Sequence, residues 1–522
     1  MTDTVAAVLA DQARTRASRP LLICDDERIS YTDAERHSAV LARGLVAMGA
    51  DKGTHVGLLF PNGTSFVVTM LAAARIGAVV VPFTTFATAP ELRQQLADSE
   101  VHILLATPAY RSHDYRTRLT EALGRDLCTI SGAERTITCT NRTVPQLRQM
   151  VFDLDQLDEL AASVDESLLT ALEADVDPCD PLAIIYTSGS TAAPKGVIHT
   201  HGSMIGHQRN LNEIRGLSAQ DVLFCNSPFF WVGGFAFALL ATLLSGGTLV
   251  CSNATDPART LDLLERESPT VTNGFAATVA RLVDHPSFPA RDLSSMRRGN
   301  LYPIMATECR PADPELRHNM LGLTEAGGTV LLSADESDQP ETRRGSFGKP
   351  APGFEVKVIK PDGETVIAGD PGELCFRGPY LMQRYHRRSR EESFDPDGWF
   401  HTGDTVCADL DGFLYFLGRS TAMIKTAGAN VSPVEVENAI ARVSGLTAYV
   451  VGVPDPVRGQ LVGAVVAPRD GQQFDETATR QALAKELSSF KIPRRFVEVP
   501  EADIALLSSG KVDRLRLQEH FT

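Results

Sequence analysis

Between residues 33 and 81 an amphipathic helical pattern alternates with short, wholly apolar runs, and this alternation limits what the chain can fold into. Residues 33–50 carry Ala39, Leu41, Leu45, Val46 and Met48 at helical spacing. Thr32 and Glu35, three apart at the start of that stretch, have the spacing of a capping box. Residues 55–60 read as a buried strand closed by the Pro61-Asn62-Gly63 turn signal. A second helix is expected over 65–77 and a second strand over 78–81. Apolar strands separated by helices belong to a mostly parallel sheet with helices packed on its faces.

Farther along, the pattern is uneven. Residues 107–180 are polar and irregular, and no element is assigned there. Residues 182–186 form a short apolar strand that runs straight into a Gly/Ser/Thr loop, and residues 345–418 are rich in glycine and strand formers. After Gly418 the character shifts to a unit of about 100 residues, with strands at 448–453 and 461–467 and a helix near 477–487. The expected fold class is α/β. A large N-terminal domain, residues 1–419, holds layered α/β subdomains with a smaller β-rich part, and a small α+β C-terminal lid domain follows, residues 420–522. The length of 522 residues agrees, being three to four units at roughly 150 residues each.

Charge narrows the function. Lys and Arg number 50 against 65 Asp and Glu, a net charge of −15. That balance argues against a broad nucleic-acid surface and leaves ATP binding open, because a few local donors hold phosphates inside an acidic protein. The N-terminus has no basic region followed by an apolar one, and the C-terminal residues match no lipidation or peroxisomal signal, so a cytoplasmic protein is expected. The apolar stretch 235–250 is short and broken by Thr242, Ser245, Gly246 and Gly247, which suits a buried helix and strand better than a membrane span. Nine cysteines are dispersed without a C-x-x-C pair, the pattern of reduced thiols and of neither a disulfide frame nor a zinc site.

The loop after the strand at 182–186 reads Tyr186-Thr187-Ser188-Gly189-Ser190-Thr191-Ala192-Ala193-Pro194-Lys195-Gly196. Small hydroxyl residues and glycine let backbone N–H groups approach phosphate oxygens, and Lys195 adds a cation. It is not a Walker A loop, since Pro194 precedes the lysine and Gly196 follows it. With this loop the chain resembles the adenylate-forming superfamily: acyl-CoA synthetases, luciferases and the adenylation domains of peptide synthetases. The resemblance recurs in order along nearly the whole chain. Asn319-Met320-Leu321-Gly322-Leu323-Thr324-Glu325 looks like the adenine and magnesium motif. Trp399-Phe400-His401-Thr402-Gly403-Asp404 looks like the ribose motif. Gly418-Arg419, Lys425, Gly428 and Asn430 look like the hinge motif, and Ser509-Gly510-Lys511 like the motif of the C-terminal catalytic lysine.

The resemblance implies ATP, Mg2+ and CoA as partners of the reaction. A carboxylate attacking the α-phosphate of ATP brings two anions together, so catalysis is mainly charge neutralisation and positioning. Glu325 is suited to ligate Mg2+, and Thr324 to bond a phosphate oxygen. Thr187, Ser188, Gly189, Ser190, Thr191 and Lys195 would cradle the phosphates. Asn319 would read the adenine edge, and Asp404, in a Thr-Gly-Asp turn, would accept the ribose hydroxyls, with Arg419 as a second contact. Lys511 would reach the acyl carboxylate and the α-phosphate. Lys425 either serves the thioester-forming state or is a solvated loop residue, and Gly428 would flank the pantetheine tunnel.

Three residues depart from the family pattern. Ala192 replaces a usual glycine of the phosphate loop. Leu321 stands where an aromatic ring usually stacks on adenine, so an aliphatic face would pack there. Thr421 occupies the hinge position around which the small domain rotates in the family.

Ser227-Pro228-Phe229-Phe230-Trp231-Val232-Gly233-Gly234-Phe235 resembles the acid-pocket motif. Trp231 either gates the pocket and sets its width or is a core aromatic. Gly233, Gly299, Leu323 and Gly327 are further wall candidates, and Asn300 and Tyr302 either read a polar substituent or are structural. Residues 222–255 contain no Asp, Glu, Lys, Arg or His. An α-amino acid needs a carboxylate to pair its buried ammonium, so an apolar acid, fatty or aromatic, fits better. The reading is ATP-dependent formation of an acyl-AMP, then a thioester with CoA. Other acceptors stay open on the same scaffold: a carrier protein, or diazotase-type activation of nitrite toward an aryl amine. A nucleotide-binding regulator without activity fits less well with Lys511, Glu325 and Asp404 all present.

Overall fold

The computed structural model describes residues 3–124, 136–138, 141–187, 194–419, 423–468, 473–500, 503–505 and 512–521, with backbone alone at 136–138, 277, 278, 419 and 515. The chain divides into two compact units. The larger comprises residues 1–85, 96–186 and 196–417, and the smaller comprises 86–95, 187–195 and 418–522.

Two sheets organise the first half of the larger unit. One is eight-stranded, in the order Arg384–Tyr385, Lys195–Thr200, Pro181–Thr187, Val79–Pro82, His55–Leu59, Ile103–Ala106, Gln149–Val151 and Thr136–Thr138. Its central pairs are parallel and its two edges antiparallel. The other is six-stranded, in the order Arg298–Gly299, Val271–Asn273, Val222–Cys225, Thr248–Cys251, Pro20–Cys24 and Glu27–Ser30, parallel except for the final hairpin. The helix Thr64–Arg75 packs on strands of both sheets, and its residues from Phe66 to Arg75 are all buried. A helix apolar all round has no solvent face to offer. The one charge at its end, Arg75, is paired with Glu35 at 2.8 Å and Glu173 at 2.5 Å.

The alternation in residues 33–81 is therefore the start of a layered α/β core, as expected. One detail is corrected. The first long helix is Tyr31–Ala47, capped by Ser30 and not by Thr32. The Ser30 hydroxyl accepts the Asp33 N–H at 3.0 Å. The helix begins early because Tyr31 is buried and its hydroxyl donates to the carbonyls of Thr242 (3.1 Å) and Gly247 (2.8 Å), anchoring the first turn. Residues 107–180 hold helices at Tyr115–Leu123, Asp155–Ala161 and Glu166–Asp175. The last of these buries only Leu169, which explains its faint apolar signal. The stretch at 235–250 is buried, as a π-helical turn Phe235–Leu240, a helix Ala241–Ser245 and the strand Thr248–Cys251. No described helix is long and apolar enough to cross a membrane. The seven described cysteines are free.

The β-rich part follows. A three-stranded sheet (Leu321–Leu323, Gly328–Leu332, Lys349–Pro350) and a four-stranded sheet (Glu355–Ile359, Gly372–Arg377, Phe400–Ala408, Leu414–Arg419) share one apolar core that includes Leu331, Leu374, Phe376 and Val406.

The smaller unit is α+β. Its sheet runs Ala429–Val431, Ile424–Thr426, Gly459–Ala467, Thr447–Asp455, with Arg495–Glu498 added parallel to Gly459–Ala467 and helices Pro433–Ser444 and Glu476–Glu486 packed together. Within it, Lys491 is buried and its ammonium donates to Glu91 (2.7 Å) and Glu435 (2.8 Å). Burial alone would raise the Glu91 carboxyl. The Lys491 charge and hydrogen bonds from Lys491, Thr88 and Ser488 hold it below its ordinary value instead. A buried charge kept in this way is compensated on every side.

Candidate active site

Glu325 lies in a single turn of 3-10 helix, Thr324–Ala326, between the strands Leu321–Leu323 and Gly328–Leu332. Gly327 closes the turn at φ +68°, and a Cβ there would sit 3.1 Å from Met204 Sδ, so both conformation and space favour glycine. The Glu325 side chain is 9% exposed. Its Oε1 accepts the Tyr385 hydroxyl at 2.7 Å, and its backbone carbonyl accepts the Met382 N–H at 2.7 Å. Oε2 has no hydrogen-bond partner among the described residues, so one carboxylate oxygen is oriented and the other is left for a cation. That donor set fits Mg2+, which takes one or two carboxylates together with phosphates and water.

The turn itself is held from behind. Three carbonyls of the turn and the strand after it receive side-chain donors from the segment 199–208. His199 Nε2–H donates to Thr324 O at 2.7 Å, Gln208 Nε2 to Gly327 O at 3.0 Å, and His207 Nε2–H to Thr329 O at 3.0 Å. A carbonyl only accepts, so these imidazoles carry their proton on Nε2. Their Nδ1 atoms are buried without a partner. His201 is buried too, and its Nδ1 accepts the Val5 N–H at 3.2 Å. Burial pushes each of these three rings down to about 4. None of them was singled out in the sequence. A histidine on an apolar strand or helix face has no local pattern to mark it.

The other sequence candidates fall as follows. Ser188, Gly189, Ser190, Thr191, Ala192, Thr421 and Lys511 lie outside the described residues, and Arg419 is described in its backbone only. Thr187 ends the strand Pro181–Thr187, and the half-buried Lys195 opens the strand Lys195–Thr200. Asn319 is anchored by its backbone N–H to Ser346 O at 2.7 Å, and its side-chain amide has no partner among the described residues. Leu321 and Leu323 share one face of their short strand and are buried in the core, while Gly322 between them is exposed. Lys425 is exposed on its strand, with its backbone N–H on Gln460 Oε1 at 2.9 Å. Gly428 is exposed, at φ +88°, in the turn before Ala429–Val431.

Asp404 is 3% exposed and does not sit in a free turn, which corrects the sequence reading. Thr402-Gly403-Asp404 is a bulge inside the strand Phe400–Ala408, where the register with Gly372–Arg377 shifts. Gly403 at φ +71° supplies the bend. The Asp404 N–H donates to Thr402 Oγ1 at 2.9 Å, and Thr402 Oγ1 donates to Leu374 O at 2.7 Å, so the bulge aims the carboxylate from a fixed backbone.

Two of the acid-pocket candidates, Trp231 and Asn300, meet at the Gly274–Phe275 segment. Trp231 is half-buried and packs edge-to-face on Phe230 (5.7 Å between ring centres) and on Phe275 (5.8 Å). Two asparagines clamp the backbone that presents Phe275. Asn226 Oδ1 accepts the Phe275 N–H at 3.0 Å, and Asn226 Nδ2 donates to Phe275 O at 3.3 Å. Asn300 Oδ1 accepts the Gly274 N–H at 3.1 Å, and Asn300 Nδ2 donates to Gly274 O at 2.8 Å. Asn300 thus braces the Gly274 backbone through both its Oδ1 and its Nδ2. Tyr302 is half-buried, and its hydroxyl has no partner among the described residues. Gly299 is a necessity of close packing: a Cβ would stand 1.8 Å from Thr272 O. Gly233 faces Ser227 Oγ at 3.2 Å from the same construction. Asn226 and Phe275 were not singled out in the sequence, because their pairing is made only when neighbouring strand ends come together.

A family model described as AMP-binding enzyme matches residues 9–386, and one described as AMP-binding enzyme C-terminal domain matches residues 435–511. The feruloyl-CoA synthase of an Amycolatopsis species is 31% identical over 505 residues, 94% of each chain. The 4-coumarate–CoA ligase 5 of Oryza sativa subsp. japonica is 29% identical over 547 residues, 99% of this chain and 93% of the relative. The solved structure of a Mycobacterium tuberculosis fatty acyl CoA synthetase is 25% identical with a TM-score of 0.66, and covers 99% of this chain and 98% of that one.

The buried imidazoles make an acid-stability prediction. An unfolded histidine takes up its proton near pH 6.5, whereas these folded rings take theirs near 4. Their contribution is complete above pH 6.5 and is lost as pH falls from 6.5 toward 4. With three rings the slope reaches about 4 kcal/mol per pH unit in mid-window. Urea unfolding measured between pH 7.5 and 4.5 should show this fall. His207→Leu should lessen the slope by about 1.4 kcal/mol per pH unit. A flat profile in the parent protein would contradict the neutral assignment.

Proposed function

We infer the function from one premise: the chain belongs to the AMP-binding enzyme family and is an AMP-forming acid–thiol ligase of the acyl-CoA synthetase type. It activates a carboxylic acid with ATP and passes the acyl group to CoA. In the first half-reaction the carboxylate oxygen bonds to the α-phosphorus, and the bond from that phosphorus to the β-phosphate bridge breaks, releasing pyrophosphate. In the second the CoA sulfur bonds to the acyl carbon, AMP leaves with the former carboxylate oxygen, and the thiol proton goes to solvent.

Our proposal assigns residues to these steps. Glu325 would hold Mg2+, with Tyr385 fixing the carboxylate through Oε1. Bound there, the ion neutralises phosphate charge as the two anions approach. The Thr324 hydroxyl takes a phosphate oxygen. The loop from Thr187 to Lys195 cradles the phosphates, Asn319 reads the adenine edge, and Asp404 with Arg419 holds the ribose. Lys511 stabilises the reacting carboxylate and the α-phosphate. Lys425 and Gly428, in a C-terminal domain proposed to turn between the two half-reactions, serve the thioester step.

The acid is proposed to be apolar, and aromatic in preference to aliphatic. The observation that carries this is the edge-to-face pair of Trp231 and Phe275, held by Asn226 and Asn300. Such a pair accepts a third ring by its faces and edges. The 222–255 stretch has no Asp, Glu, Lys, Arg or His. Relatives named for feruloyl-CoA and 4-coumarate support the same class.

Two measurements test the reading. Pyrophosphate release over a panel of acids, followed by detection of the CoA thioester, should favour aryl and arylalkenoic acids. Phenylalanine should react at least about 100-fold more slowly in kcat/KM, since its ammonium would be buried without a partner. Equal rates with phenylalanine would sink the pocket assignment, and adenylate without thioester would sink the acceptor. Tyr385→Phe should raise the Mg2+ concentration needed for half-maximal adenylation by about 10- to 100-fold while leaving the fold intact. An unchanged Mg2+ dependence would remove Glu325 from the metal.

A further inference from the structure

On the outer face of the four-stranded sheet, three side chains with metal-ligand chemistry converge. Cys375 on the strand Gly372–Arg377 stands directly opposite His401 on the antiparallel strand Phe400–Ala408. Glu373 precedes Cys375 by two residues, so it projects from the same face. Leu374 and Phe376 point the other way into the apolar core. His401 Nδ1 lies 3.6 Å from Cys375 Sγ and 3.1 Å from Glu373 Oε2, and the three ligand atoms are all within 4.8 Å of one another.

We propose that Glu373, Cys375 and His401 bind one divalent cation of the zinc class, with the fourth position open to water. A tetrahedral ion with ordinary Zn–S, Zn–N and Zn–O bonds sets its ligands about 3.6 Å (S to N) and about 3.4 Å (N to O) apart. The two measured separations are already close to these values. A thiolate with an imidazole selects zinc-like ions over magnesium or calcium.

The surroundings of the triad are those of a prepared site. His401 Nε2 faces Asp395 Oδ2 at 3.4 Å, so in the metal-bound form Nε2–H would donate to that carboxylate and the Nδ1 lone pair would face Cys375 and Glu373. This carboxylate–histidine pairing behind a ligand fixes both tautomer and ring orientation. Asp395 is itself fixed, because its Oδ1 accepts the N–H groups of Asp397 and Trp399. Glu373 Oε1 accepts the Gly403 N–H at 2.9 Å, which leaves Oε2 for the cation. Nδ1 and Oε2 stand 3.1 Å apart, a separation that a cation held between them would span. Lys357, the cross-strand partner of Cys375 on the other side, reaches Asp395 Oδ2 at 3.4 Å. The charges of a thiolate, two carboxylates, one ammonium and a divalent ion then sum to zero. Cys375 is buried, whereas the His401 and Glu373 side chains are 38% and 35% exposed, so the ion has a side from which to enter.

The site does not depend on the proposed activity, and its test needs no substrate. Metal-stripped protein titrated with Zn2+ against a chromophoric chelator should take up one tight equivalent. The Co2+ form should show a thiolate-to-metal charge-transfer band in the near ultraviolet. X-ray absorption of the zinc form should report one sulfur near 2.3 Å among nitrogen and oxygen ligands, as expected for such a set. His401→Asn, at a half-exposed position, should weaken binding by at least about 100-fold, and Asp395→Asn by about 10-fold. Cys375→Ser should abolish the charge-transfer band, with thermal unfolding as a check that the buried site still folds. No stoichiometric uptake by the parent protein, or uptake unchanged in His401→Asn, would overturn the proposal, as would a band that persists in a folded Cys375→Ser protein.

Discussion

The candidate active site depends on how one short turn is held. Thr324–Ala326 is a single 3-10 turn, too brief to be rigid by its own hydrogen bonds. Buried carbonyls that find no partner cost stability, and a chain that buries several must supply donors from elsewhere. Here they come from one neighbouring segment: His199, His207 and Gln208 each hand a proton to a carbonyl between residues 324 and 329. The rings do this while uncharged, because burial removes the incentive to take a second proton. A neutral donor suits the place, since a charged one would add an unpaired cation to the core. With the backbone fixed from behind, Tyr385 needs only one hydrogen bond to orient the Glu325 carboxylate.

The same economy of neutral clamps recurs at the acid-pocket candidates. Asn226 and Asn300 grip the Gly274–Phe275 backbone with both ends of their amides. They set Phe275 against Trp231 and introduce no charge where an apolar acyl group is proposed to lie. Two buried cations are each answered by a pair of carboxylates. Arg75 lies between Glu35 and Glu173, and Lys491 lies between Glu91 and Glu435. Net charge alone describes none of this, because position decides whether a charge is answered.

Much of the architecture was legible in the residues. Apolar runs at 55–60 and 78–81 could only be interior strands, and the resemblance carried by five motifs in order implied the family and its reaction. Local reading failed where a partner distant in sequence decides the outcome. Ser30 caps the helix Tyr31–Ala47 instead of Thr32 because the Tyr31 hydroxyl is tied to carbonyls more than 200 residues away. Thr402-Gly403-Asp404 looks like a turn but is a bulge, which only the register against Gly372–Arg377 reveals. The grip of Asn300 on the Gly274 backbone likewise exists only once the strand ends meet. Cys375 carries no C-x-x-C signal, and its proximity to His401 exists only through strand pairing. His199, beside the buried Val197 and Ile198, gives no local sign that its ring reaches Thr324.

The most direct test of the buried-imidazole brace is the ionisation and tautomer of His199. Protein labelled with 15N-histidine, with the ring signals assigned by their loss in His199→Asn, can be followed by long-range 1H–15N spectra from pH 7.5 to 5.5. The account predicts a neutral ring with its proton on Nε2 across that whole range. A ring that titrates near pH 6.5, or one protonated on Nδ1, would contradict it.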